Sequence, residues 1–332
     1  MRHPTRRTGL MALALCAIGL AATTVQAQST WPTKPVKIVV PFAPGGTTDI
    51  LARVVSQKLG AALGTTLVIE NRGGAGGSVG SEIAARAPAD GYNLLGGTIS
   101  SHAINVSLYP KLGYDPIKSF TPVFLYGTNP VVLVVAANSP YKTLKDLLTA
   151  AKAKPEKLSG ASAGNGTSQH LAQELLAFKG GVKFTHVPYK GSAPAIQDVM
   201  SGQVDFMFDT TVVAGPHIQS GKLRALAVTS AKRLSDSLPD VPTVAESGWP
   251  GLQGFEVVSW QALFAPAGTP KPIVDKLHNE ILKIMQTPDM QERIKGLGMQ
   301  PSTLTPEQVL SFQKSEIDKW AQVIKAANIK LD

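Results

Sequence analysis

From residue 36 onward the chain alternates two rhythms: short apolar runs, and amphipathic stretches of helical period. The apolar runs fall near 36–41, 66–70, 93–98, 131–136, 158–162, 184–188, 204–208, 223–229 and 258–264, and each reads as a strand. Helical periods follow near 48–62, 78–86, 143–153, 168–178, 193–201, 271–286 and 306–327. The clearest is the first, where Ile50, Leu51, Val54, Val55 and Leu59 share one face while Arg53, Gln57 and Lys58 lie opposite. Strands alternating with helices of this length predict an α/β fold of crossover units, with mostly parallel sheets flanked by helices. Ligands of such sheets bind off the carboxyl ends of the strands.

Two junctions at those ends stand out. Val36–Phe42 runs into Ala43-Pro44-Gly45-Gly46-Thr47-Thr48-Asp49 and a helix, and Leu158–Ser162 runs into Ala163-Gly164-Asn165-Gly166-Thr167-Ser168 and a second helix. A strand, a small hydroxyl-rich loop and a helix start present unpaired N–H groups and the positive end of a helix dipole, which suits an anion. Neither loop carries the lysine of a phosphate-binding loop. Two such grips imply a ligand held at both ends, with a dicarboxylate or a carboxylate bearing a second polar end favoured. Phe42 lies at the mouth of the first loop. Asp49 reads as a charge on its helix's first turn, and Asp209, ending the strand Val204–Phe208, as a group at the cleft edge. Tyr189 and Trp260 are further candidates for stacking, though each alone fits a core position.

Gly/Pro punctuation at Gly127–Pro130 and Pro250–Gly254 suggests two crossings between lobes. The division expected is residues 28–127 plus 253–332 for one lobe and 128–252 for the other, uncertain by about ten residues. Residues 1–27 stand apart. Arg2, Arg6 and Arg7 precede an apolar run from Leu10 to Ala22, and Val25-Gln26-Ala27 supplies a small-residue cleavage site, the pattern of a secretory signal cut after Ala27. That implies export to the periplasm. The single cysteine, Cys16, lies inside the signal, so the mature chain has neither disulfides nor a thiol nucleophile.

The net charge of +9 falls to +6 once the three signal arginines are removed. Its basic residues are scattered and lack aromatic interleaving, which argues against nucleic acid. No G-x-S-x-G elbow accompanies His102, His170, His186, His217 or His278, and no His or carboxylate spacing fits a metal site. Arg72–Ser78 is Gly-rich but lacks a dinucleotide or phosphate-loop register. It reads instead as a tight turn that lets a helix pack closely, with Ser78 as its cap. The reading is a binding protein with no enzymatic role, no cofactor and no metal.

Trp31-Pro32-Thr33-Lys34-Pro35-Val36 and Val39–Asp49 resemble the opening of the Bug family, the periplasmic solute-binding proteins of tripartite tricarboxylate transporters. The likeness continues through Asn71–Gly77, Pro88–Leu95, Gly166–Leu171, Val187–Gly191, Gly221–Val228 and Leu263–Pro270. It departs at Gly74, where many members carry Pro. The resemblance implies a two-lobed Venus-flytrap fold, type II-like, closing on a carboxylate through backbone N–H groups and ordered water. Carried over, the contacts are Phe42, Gly46, Thr47, Thr48 and Asp49 from the first loop, and Ser162, Ala163, Gly166, Thr167 and Ser168 from the second, with Asp209 beside them. The implied partners are a small organic acid and membrane transporter subunits, with the receptor itself a monomer. A periplasmic sensor feeding a signalling protein is the second reading of the same fold.

Overall fold

A computed structural model describes residues 31–331, so the expected signal segment and its cleavage site lie outside the described residues. The first part of the chain forms β1 (Val36–Val40), α1 (Thr47–Leu63), β2 (Leu67–Asn71), α2 (Ser78–Ala85) and β3 (Asn93–Thr98). A π-helical turn at Ser100–Ile104 leads into the short α3 (Asn105–Leu108), and then the long β4 (Phe120–Ala136) begins. The middle comprises α4 (Leu144–Ala153), β5 (Ser159–Ser162), α5 (Ser168–Gly180), β6 (Thr185–Pro188), α6 (Ser192–Ser201), β7 (Phe206–Thr210), α7 (Thr211–Gln219) and β8 (Leu223–Val228). The chain ends with β9 (Val258–Pro266), α8 (Lys271–Met285), α9 (Pro288–Gly296), β10 (Gln300–Pro301) and α10 (Pro306–Ala326).

These strands form two mixed sheets flanked by helices, joined through β4. In the first sheet β1 pairs in parallel with β2 and β3, and β9, β4 and β10 add antiparallel pairings. In the second, β5 pairs in parallel with β6 and β7, while β4 runs antiparallel to β7 and β8. The crossover units expected from the sequence are thus the parallel outer parts. The antiparallel inner parts arise because β4 leaves the first sheet and β9 returns to it. Pairing passes from one sheet to the other between Pro130, opposite Val258, and Val131, opposite Thr210. The Gly127–Pro130 punctuation therefore lies inside a continuous strand. Gly127 is required there: its φ is +146° and a Cβ would collide with the Gln300 carbonyl of β10.

Each sheet buries its own helix faces. Leu51, Val55 and Leu59 of α1 pack with Ile38 and Val40 and with Leu277 and Ile281 of α8. Ile50 and Val54, at the rim of that stripe, are only half-buried. Ala195, Ile196 and Val199 of α6 cover Val132, Val134 and Met207. A third cluster spans both sheets and includes Leu95, Leu125, Leu133, Leu171, Phe206 and Trp260. Against it α10 docks Trp320, and the Glu316 carboxylate accepts both the Trp260 and the Trp320 indole N–H at 3.2 Å. Burying those two polar tips is thereby offset by charge-assisted hydrogen bonds.

Candidate functional site

The carboxyl ends of the parallel strands in the two sheets face one another, and the helices that follow begin there. Thr47 and Thr48 open α1, Ser168 and Gln169 open α5, Ser192 opens α6, and Thr210 precedes α7. With Thr98 and Ser100 after β3, and Ser259 and Gln261 on β9, they line a cavity of about 30 Å³. Phe42, Gly46, Ala163 and Thr167 complete its wall. No charged side chain lines it. What the wall offers an anion is hydroxyl and amide donors together with first-turn N–H groups that have no intrahelical partner. Each helix start adds about half a positive charge, offset at α1 by the Asp49 carboxylate in its first turn.

The hydroxyls are pre-set. Thr48 Oγ1 donates to Gln261 Oε1 at 2.8 Å, and Thr47 and Thr210 share a hydroxyl contact at 2.5 Å between the two sheets. The Thr167 side chain accepts from His170 N–H and donates to the Gly164 carbonyl at 2.7 Å, fixing the second loop. Further bonds tie the lobes at the rim: Ala43 N–H donates to the Lys190 carbonyl at 3.0 Å, and Tyr109 OH donates to the Asn165 carbonyl at 2.9 Å. The two lobes therefore touch across the mouth of the cleft.

Of the residues expected from the sequence, Phe42, Gly46, Thr47, Thr48, Ala163, Thr167 and Ser168 come together on the cavity wall. Asp49, Ser162, Gly166 and Asp209 stand behind it, each engaged with protein groups. Asp49 accepts from Gly45 N–H, Arg53 and Asn71, which ties the first loop to β2. Burial alone would raise its carboxyl, but the bonds from Arg53, Gly45 and Asn71 bring it below the ordinary carboxylate range. Ser162 Oγ contacts His186 at 2.7 Å and accepts from Gly164 N–H, while Gly166 N–H donates to His170 Nδ1 at 3.2 Å. Asp209 is fully buried, and one carboxylate oxygen accepts from Ser192 Oγ, Gln169 Nε2 and Thr210 N–H at 2.8–3.1 Å. Burial pushes its pKa up to about 6 despite those three donors, and its other oxygen has no partner.

Sequence reasoning did not find Thr98, Ser100, Gln169, Ser192, Thr210, Ser259 or Gln261. Most sit at strand ends or helix starts, where a hydroxyl directly after an apolar run was the available signal; Ser259 and Gln261 carry no local mark. Ser78 is the first residue of α2 rather than its cap, and accepts from Asn105 Nδ2. Tyr189 lies outside this cavity and Trp260 belongs to the core. The Gly-rich turn does serve close approach, within its lobe and between lobes: a Cβ on Gly77 would stand 2.9 Å from the Phe42 ring and one on Gly80 of α2 2.6 Å from the Arg72 carbonyl, while one on Gly76 would collide with the Asn165 carbonyl of the facing lobe.

Among the described residues Ser101 contacts His102 at 2.9 Å and Ser162 contacts His186, and in both pairs the serine is fully buried. His102 is also sealed, stacked on Phe264 at 4.0 Å, and burial drives its pKa down to about 3. Among the described residues no group of three or more His, Cys, Asp or Glu is placed to hold a metal, and no helix is long and apolar enough to cross a membrane.

Two α/β lobes closing on a neutral, donor-lined cavity define a solute-binding protein of the periplasmic receptor class. Residues 51–329 match the tripartite tricarboxylate transporter family receptor, and the chain belongs to that family. It is 36% identical to Protein BugT of Bordetella pertussis over 328 residues, 98% of this chain and 99% of that one. It superposes with TM-score 0.87 on R. palustris Rpa4515 with adipate, at 37% identity over 90% of this chain and 99% of the other. MatC from Rhodopseudomonas palustris with bound malate gives TM-score 0.83 at 37% identity, over 89% and 100% of the two chains.

Proposed function

We propose that this protein is a periplasmic receptor that closes its two lobes on a small organic dicarboxylate and delivers it to the membrane subunits of a tripartite tricarboxylate-type transporter. The observation that carries the proposal is the cavity wall: helix starts and hydroxyls from both sheets converge on one space that holds no charged side chain. Two related structures that hold the diacids adipate and malate support the ligand class. Backbone donors fix a carboxylate without reading what hangs from it, so the rest of the wall sets ligand identity.

The lobes in this reading are residues 28–127 plus 253–332 and residues 128–252, and the strands that pass between them absorb the rotation. Ligand shifts the chain from open to closed because only the closed form completes both grips. Thermal-shift screening of organic acids tests the ligand class, since a ligand at 100 times its Kd stabilises by about 2.7 kcal/mol. Preference for a sugar or a cation would refute it. Uptake by cells lacking the receptor gene, restored by the gene only when the transporter subunits are present, tests delivery. Restored uptake without those subunits would refute that part.

A further inference from the structure

Three helices of the second sheet begin around one carboxylate. Ser192 is the first residue of α6, Gln169 the second of α5, and Thr210 the residue before α7. Ser192 Oγ, Gln169 Nε2 and Thr210 N–H donate to the same oxygen of Asp209, and all three residues line the cavity. Asp209 thus lies one residue behind the wall, at the positive ends of three helix dipoles. Asp49, the acid at the start of α1, is paired with Arg53. Asp209 is fully buried and makes no ion pair among the described residues, and its second oxygen has no partner.

The elements packed on β7 are β4, β5, α5, α6 and α7. Their ionisable residues are Tyr126 on β4, His170, Glu174 and Lys179 on α5, Asp198 on α6 and His217 on α7; β5 has none. From the other sheet α1 reaches Thr210 through Thr47, and its charges are spent on each other, Asp49 with Arg53, or on Asp289, which takes Lys58. None of these groups acts on Asp209, whose carboxyl is pushed up to about 6 by burial against its three donors.

A ligand carboxylate at these helix starts competes with Asp209 for one positive field, and no charged side chain in the wall offsets either anion. Two like charges sharing a buried site do not both stay ionised, and the carboxyl with the higher pKa takes the proton. An ordinary carboxyl titrates near 4, so that group is Asp209 rather than the ligand. We propose that Asp209 is the resident counter-ion of the second lobe's helix starts and takes a proton from solvent, on its unpartnered oxygen, when the ligand carboxylate arrives. Capture of the anion is thereby coupled to uptake of a proton, which returns to solvent on release. Affinity is then fully present below the ligand-free pKa of Asp209 and is lost as pH rises above it. The proposal rests on the carboxylate-receptor reading and adds to it a linked proton and the residue that carries it.

Calorimetry with adipate and with malate, in two buffers of different ionisation enthalpy, counts the protons taken up per diacid bound. It is run on the wild type and Asp209→Asn at pH 6.5, 7 and 8, above the range in which ordinary carboxyls titrate. The wild type should take up more than about half a proton at pH 7, and its Kd should rise by up to about tenfold per pH unit. Asp209→Asn keeps an oxygen for the three donors and carries no charge, so it should take up none. Its Kd should not vary with pH, and at pH 8 it should bind about tenfold or more tighter than the wild type. The bound-minus-free infrared spectrum of wild type made with isotope-labelled aspartate should gain a protonated-carboxyl band that moves with the label, which assigns the proton without a variant. Absence of proton uptake by the wild type overturns the proposal. Equal uptake by Asp209→Asn does so too, because it places the proton on the diacid or on a histidine such as His170. A variant that binds more weakly by the same factor at every pH also overturns it. If neither diacid binds at any of these pH values, the carboxylate-receptor reading fails and the proposal falls with it.

Discussion

Replacing Asp209 by asparagine should shift stability toward the variant as pH rises from 4 to 7.5. The carboxyl is fully buried, three donors serve one oxygen, and the other oxygen has no partner. Burial raises its pKa from 3.8 to about 6, so the folded chain holds this proton more tightly than the unfolded chain does. For a carboxyl raised in this way, the stability it contributes is fully present below its unfolded pKa and is lost as pH climbs through the folded one. At 1.36 kcal/mol per unit, that loss is about 3 kcal/mol between pH 4 and pH 7.5. The asparagine keeps an oxygen for the three donors and does not ionise. Its amide adds a fixed offset of about 1–3 kcal/mol wherever it lacks an acceptor, and that offset does not vary with pH. Urea unfolding of both proteins at pH 4, 5, 6 and 7.5 therefore isolates the carboxyl. The stability difference should shift toward the variant by about 3 kcal/mol across the series, with most of the change between pH 4 and pH 6. A pH-independent difference, or one that moves toward the wild type, would refute the argument.

Three further perturbations address the grip and the closure. Ser168→Pro removes one first-turn N–H at a position where proline suits the helix and the preceding Thr167 is extended, so calorimetric Kd should rise by about ten- to a hundredfold with far-ultraviolet circular dichroism unchanged. Gly76→Ala puts a Cβ against the Asn165 carbonyl only when the lobes meet, so binding should fall more than about tenfold while ligand-free stability drops by only about 1–2 kcal/mol; unaltered affinity would rule out closure at this lip. Tyr109→Phe removes a lobe-spanning hydrogen bond, and Kd should rise roughly two- to tenfold for every ligand alike, with a larger radius of gyration in small-angle scattering at subsaturating ligand; a ligand-specific effect would contradict a role in closure.

Periodicity carried the flanks of the fold well and its centre less well. The strands 36–41 and 93–98 and the helices 48–62 and 306–327 fall within a residue or two of the observed elements, because the strands are short runs buried on both faces and each helix opposes an apolar face to a polar one. The first half of β4 was unreadable: Pro122, Gly127 and Pro130 look like breakers, and the strand accommodates them with register shifts on either side of Val123 and of Tyr126. The helix α7 hid behind Gly215 and Pro216, and α9 behind its shortness and its opening proline. At the site, both loops were legible because glycines and hydroxyls sit beside a strand and a helix in sequence. Gln261 and Thr48 are 213 residues apart, and only the return of β9 brings them into contact. Asp209 was placed near the cleft by its strand, but no local pattern reveals that three donors turn its carboxylate away from the cavity.

The continuity of β4 has a consequence for how the chain comes apart. One strand of 17 residues supplies hydrogen-bond partners to both sheets, and one apolar cluster runs beneath the junction. Stripping either sheet takes from the other a strand it is paired with and a wall it is packed on. Halves proposed to move as separate bodies around a ligand are thus not separate bodies in folding. Denaturation should melt them together, and neither half expressed alone would have a finished sheet.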